Sequence, residues 1–174
     1  MADTGTTLRS SEKAASAGEE AELIVRCLLM PFHGFNLLMP NTAVAEVVAY
    51  EKPKAVDQAP GWLKGFVAWR GRSVPVVSLE NLMGSTEGTP GSQARLIIFN
   101  ALGEGAAVPF IAMVAQGIPR LHALKEENLH YVPGSQKHEA GVLTRLLLDG
   151  NPVVVPDLEV LEKMLLQIGV REGK

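Results

Sequence analysis

Part of this chain is written twice, and that repetition limits its possible folds more than any other feature. Residues 71–82 read GRSVPVVSLENL and residues 150–161 read GNPVVVPDLEVL. At an offset of 79 residues, six of the twelve positions are identical: Gly71 and Gly150, Val74 and Val153, Val76 and Val155, Leu79 and Leu158, Glu80 and Glu159, Leu82 and Leu161. Upstream, Leu63, Val67 and Trp69 fall opposite Val142, Leu146 and Leu148, so apolar alternation stays in phase. A strand, a glycine turn, a second strand and a helical turn are used twice, as in a duplicated unit. Two similar small barrels follow, with residues 35–90 the middle of one and 95–155 most of the other. Neither can bury much core alone, so the two must pack together.

The remaining sequence fits an all-β chain. Short apolar runs lie at residues 23–30, 35–39, 44–50, 66–69, 74–79, 95–99, 108–114, 117–121, 142–148 and 152–156, separated by Pro, Gly and Asn. Their length and their Val, Ile, Leu and Phe content are those of strands, and many short strands close into barrels. One helix is expected over 157–168, where Leu158, Leu161, Leu165 and Ile168 keep helical spacing between a Pro156-Asp157 start and a Gly169 stop. A single turn is expected at 60–64. Residues 84–92, GSTEGTPGS, read as a polar loop, and 103–105 as a hairpin tip. Residues 1–22 carry no hydrophobic periodicity and read as a flexible tail, neither signal peptide nor anchor. The folded unit is then 23–174, its two barrels intertwined at 23–40 and 150–174.

Composition excludes several functions. A net charge of −3 and only five Phe, two Trp and two Tyr argue against a nucleic-acid surface. No run of 18 apolar residues predicts a membrane span. Cys27 is the one cysteine, so no internal disulfide is expected, in keeping with a reducing, cytoplasmic location. In an apolar run without catalytic neighbours it reads as packing. His33, His122, His130 and His138 lack metal-ligand spacing, so neither metal nor cofactor is expected. Gly103-Glu104-Gly105 lacks the third glycine of a nucleotide fingerprint. With no nucleophile elbow, paired-carboxylate motif or phosphate loop, the chain reads as a non-catalytic binding module.

The densest motif is residues 59–79, APGWLKGFVAWRGRSVPVVSL. Pro60 sets a turn, Leu63 and Phe66 are expected to point inward, and Gly65 permits a close backbone approach. Trp69-Arg70-Gly71 places a permanent cation between two apolar strands. A buried guanidinium left unpaired costs roughly 3–5 kcal/mol, so a carboxylate partner is expected. Glu46, within Val44-Ala45-Glu46-Val47-Val48, is the candidate, paired with Arg70 across adjacent strands.

These residues resemble the signature of the CheW-like domain family. The resemblance is carried by Gly65-Phe66-Val67-Ala68-Trp69-Arg70-Gly71, then Pro75-Val76-Val77-Ser78-Leu79, with Val44-Ala45-Glu46-Val47 upstream. It implies two five-stranded SH3-like barrels around a shared core. It also implies a non-catalytic adaptor that binds the cytoplasmic tip of chemoreceptors and the regulatory domain of a CheA-type histidine kinase, at membrane-bound receptor arrays. By resemblance, Val44, Glu46, Gly65, Trp69 and Arg70 serve the receptor site, while Gly71, Pro75, Leu79 and Asp157 are structural. Ser78 stands where the family has Asp, which the repeat partner Asp157 keeps; Trp69 stands where Leu is commoner, and Ala68 where a small polar residue is. These departures suggest an accessory member, of a pilus-linked chemosensory pathway. The alternative is a β-barrel scaffold for an unrelated complex; an enzyme reading, a phosphatase acting on a response regulator, lacks an acidic or amide cluster on an exposed helix.

Overall fold

A computed structural model of the chain describes residues 24–103, 107–132 and 139–170; the expected tail, His138 and most of the 103–105 tip lie outside the described residues. Among the described residues, eleven strands and two α-helices follow one another, besides two single 3-10 turns at Asn41–Ala43 and Glu126–Asn128, as β1 (Val25–Pro31), β2 (Asn36–Pro40), β3 (Val44–Ala49), β4 (Leu63–Trp69), β5 (Arg72–Val77), α1 (Leu79–Leu82), β6 (Arg95–Asn100), β7 (Phe110–Ala115), β8 (Arg120–Leu124), β9 (Leu129–Tyr131), β10 (Val142–Leu148), β11 (Asn151–Pro156) and α2 (Leu158–Gln167). Nine of the ten expected apolar runs become strands; the run at 117–121 is displaced, meeting β8 only at Arg120 and Leu121. The run at 74–79 stops at Val77, because Ser78 caps α1 by accepting from the Asn81 N–H at 3.3 Å. The turn expected at 60–64 is shorter: the Leu63 N–H already bonds the Pro60 carbonyl at 2.9 Å, and β4 begins there.

The written repeat is also a structural one. In the β4–β5 hairpin the pairs are Trp69↔Arg72, Ala68↔Ser73, Val67↔Val74, Phe66↔Pro75, Gly65↔Val76 and Leu63↔Val77, with a bulge before Gly65. In the β10–β11 hairpin they are Leu148↔Asn151, Leu147↔Pro152, Leu146↔Val153, Arg145↔Val154, Thr144↔Val155 and Val142↔Pro156, with a bulge before Thr144. Every pair and the bulge keep the 79-residue offset. Both tips have positive φ at two central residues, Arg70 (48°) and Gly71 (74°), Asp149 (49°) and Gly150 (79°), the signature of a type I′ turn matched to strand twist. Each hairpin then runs into a capped helix, Asp157 accepting from the Val160 N–H at 3.0 Å as Ser78 does for α1.

The sheets do not follow the expected grouping of 35–90 and 95–155. One sheet runs β3-β6-β7-β5-β4 and the other β8-β1-β2-β11-β10-β9. The β6–β7 hairpin, after the first repeat, completes the first sheet, and the N-terminal β1–β2 hairpin completes the second. Each repeat lends its opening hairpin to the other. The first sheet has five strands; the second gains a sixth, the three-residue β9, held by its ladder to β10.

Burial explains the exchange. Val67, Val74, Val76, Leu96, Ile98 and Ala112 fill the first sheet's interior. Cys27, Leu38, Leu146, Leu148 and Val153 fill the second's. A third and largest cluster joins both, with Met30, Leu37, Leu79, Ile97, Phe99, Leu158, Leu161 and Leu165 among its members. The inward face of α2 lies in this shared core, and no helix among the described residues is long and apolar enough to cross a membrane.

Candidate functional site

Glu46 lies on β3, two residues before Val48 and on the same strand face, which turns toward the first interior. Its Oε2 accepts from the Trp69 indole Nε1–H at 2.8 Å and pairs with Arg70 Nη2 at 2.9 Å. The Arg70 guanidinium lies over the Trp69 ring, 4.9 Å from its centroid. The Trp69 ring meets Phe110 of β7 edge-on, centroids 4.8 Å apart, and the Arg72 guanidinium stands 5.7 Å over the Phe110 ring. Two arginines and two aromatic rings, tied to one carboxylate, thus form a corner of the first sheet.

The Glu46–Arg70 pair exists, but its setting differs from the expected one. β3 and β4 are at opposite ends of the strand order, not adjacent. Their side chains meet because the sheet rolls until its ends approach, so the contact clasps the seam. Nor is Arg70 buried: its side chain is 68% exposed, because the turn projects it into solvent. The penalty for a buried unpaired charge therefore does not apply, and an exposed pair contributes about 0–1 kcal/mol. A left-handed non-glycine residue costs about 1–2 kcal/mol, so the clasp and the strain roughly cancel. What it secures is the orientation of the guanidinium.

Other candidate residues sit elsewhere. Val44 opens β3 half-buried against the shared core. Gly65 is buried in β4 at φ +122°, and a Cβ there would lie 2.0 Å from the Lys54 carbonyl oxygen. Lys54 pairs antiparallel with Phe66 through hydrogen bonds of 2.8 and 3.0 Å, so Gly65 leaves room for that segment to lie alongside β4. Leu63 is buried as expected; Phe66, on the opposite face from Gly65 and Val67, is only half-buried. Gly71 makes the turn, Pro75 and Leu79 are buried, and Asp157 caps α2. Burial pushes the Cys27 thiol up, away from the reactive thiolate. Phe110 was legible only as part of an apolar run and Arg72 only as part of the repeated segment; the cross-strand register Trp69↔Arg72 is the signal that joins Arg72 to the site.

The second sheet repeats the corner with different chemistry. Asp149 holds the turn position of Arg70, and His122 on β8 faces it, Nε2 to Oδ2 at 3.5 Å. Asn128 Nδ2 donates to Asp149 Oδ1 at 2.7 Å, while the Asp149 N–H donates to the Asn128 carbonyl at 3.0 Å. In place of Trp69 stands Leu148, 3% exposed inside the second core.

Comparison with known proteins bears on these features. The family model for the CheW-like domain matches residues 26–164. Among solved structures, the scaffolding protein TtCheW from Thermoanaerobacter tengcongensis is similar, with a TM-score of 0.67 and 17% identity over 82% of this chain and 90% of that one. That likeness is one of fold: two SH3-like barrels, the two sheets described above. No curated protein matches the sequence significantly.

Proposed function

The chain belongs to the CheW-like domain family, and from that premise we propose that it is a non-catalytic adaptor joining chemoreceptor tips to the regulatory domain of a CheA-type histidine kinase. It would act in the cytoplasm, at membrane-bound receptor arrays. The observation that carries this reading is the seam clasp, in which Glu46 and Trp69 hold the exposed Arg70 guanidinium in one orientation. A fixed cation on an aromatic platform suits recognition of a partner helix bearing carboxylates, a helix-in-groove mode with charge-assisted hydrogen bonds at its edge. Val44 and Gly65 would act indirectly, seating β3 and β4.

Calorimetric titration with a CheA-type regulatory domain and with a receptor-tip hairpin tests the proposal. Binding with Kd below roughly 100 μM is expected for both, and no detectable heat at that concentration for either overturns it. Arg70→Glu should abolish the receptor interaction while leaving the melting temperature within a few degrees. Which motility output is served, swimming or pilus-driven twitching, follows from the kinase it binds.

A further inference from the structure

The two repeats serve as controls for each other, and Glu80 separates them. Glu80 and its repeat partner Glu159 open α1 and α2. Glu159 is exposed, whereas Glu80 is 3% exposed. The repeated unit therefore folds with that carboxyl in water, and burying it is unfavourable unless it is well satisfied. Its hydrogen bonds come from neutral donors: Oε1 accepts from the His33 backbone N–H at 3.4 Å, Oε2 from the Ser78 hydroxyl at 3.2 Å, and the Glu80 backbone N–H also bonds the carboxylate. Burial raises the Glu80 pKa above the usual carboxylate range, against the hydrogen bonds it accepts and with added repulsion from Glu87.

Glu80 lines a pocket of about 100 Å³. The pocket belongs to the first barrel because α1 ends after one turn, at Met83 and Gly84 (φ +74°), and the loop bearing Glu87 and Gly88 crosses instead. Tyr50, Val77 and Val114 give it apolar walls. Lys64 pairs with Glu87 at its edge, Nζ to Oε1 at 2.5 Å, and the repeat partner of Lys64 is the exposed Leu143. Glu80, Glu87 and Lys64 all line the pocket, and the one ion pair among them joins Lys64 to Glu87. By comparison, a cavity of about 150 Å³ accepts benzene, so this one suits about three to five heavy atoms.

We propose that this pocket binds a small alkylammonium ion, whose ammonium pairs with Glu80 and whose chain lies against Val77 and Val114. The inference goes beyond the adaptor reading and does not rest on it. Amide NMR titration of the full chain with n-propylammonium tests it, with n-propanol and propionate as controls. Saturable shifts around the pocket are expected, with Kd of about 1–10 mM for so small a ligand. Glu80→Gln should weaken binding at least about tenfold, and Glu159→Gln should leave it unchanged. Lys64, Glu87 and Tyr50 are the other titratable groups lining the pocket, and His33 meets Glu80 through its backbone N–H; because burial raises the Glu80 pKa, affinity should rise with pH as Glu80 ionises. No saturation, equal binding of propanol or propionate, or wild-type affinity in Glu80→Gln overturns the proposal. Should Glu80→Gln fail to fold, the wild-type pH profile decides: affinity that does not rise with pH overturns it.

Discussion

At the tip of β4–β5 the left-handed position holds Arg70; at the tip of β10–β11 it holds Asp149. Asp tolerates that conformation better than Arg does, and Asp149 also accepts from Asn128, 21 residues away. Arg has no such compensation nearby and instead reaches across the seam to Glu46. The same contrast recurs at other repeat partners. Thr144 occupies the place of strained Gly65, Leu148 that of Trp69, and exposed Glu159 that of buried Glu80. The duplication thus separates what the repeated unit shares from what belongs to the first barrel alone: an oriented arginine, a tryptophan in the seam, a glycine against the Lys54 segment and a carboxyl in a pocket.

The sharpest way to break this comparison is at Gly65. Gly65→Ala sets a methyl 2.0 Å from the Lys54 carbonyl oxygen and should lower unfolding free energy in urea by about 3–4 kcal/mol. Thr144→Ala, at the matching place, should cost about 1 kcal/mol or less. Next come the helix leucines. Leu161→Ala empties a fully buried site and should cost about 3 kcal/mol by the same measurement, whereas its half-buried partner Leu82 should lose about half that. The caps follow. Asp157→Ala, which uncaps the ten-residue α2, should lower stability by about 1 kcal/mol in thermal melts, and Ser78→Ala, capping a single turn, by less. The smallest stability change is expected at the tips. Arg70→Asn suits the type I′ turn and should hold or raise stability by up to about 0.5 kcal/mol, yet weaken partner binding at least about tenfold. Asp149→Asn should change neither measurably; equal binding losses at the two tips would remove the distinction between the barrels.

The sequence was most informative where periodicity and turn chemistry are local. Alternating Val and Leu around Gly71 and Gly150 marked both hairpins, and Asp157 before spaced leucines marked α2. β9 escaped notice because Leu129-His130-Tyr131 has no apolar pattern of its own and owes its extension to β10. α1 was legible only through the repeat, since one turn leaves no helical period, and Ser78 reveals itself as a cap beside Asp157. The exchange of hairpins was illegible for a different reason: strand partners are chosen by the shared core, where Ile97 and Phe99 meet residues from both repeats. Within the site, the Glu46–Arg70 partnership was legible from charge in apolar surroundings. The exposure of Arg70 was not, since it depends on the backbone sign at one turn position.

Because each repeat lends its first hairpin to the other, synthesis from the N-terminus completes the two barrels at different times. The first can close once β7 has emerged. The second cannot, since Asn36 and Leu37 of β2 pair with Val153 and Val154 of β11, more than a hundred residues later. Until then Met30 and Leu37, both fully enclosed in the finished protein, have no second sheet to enter. A ribosome paused before α2 would display that early hairpin to water and to any passing chaperone, and α2, made well over a hundred residues later, helps to seal it.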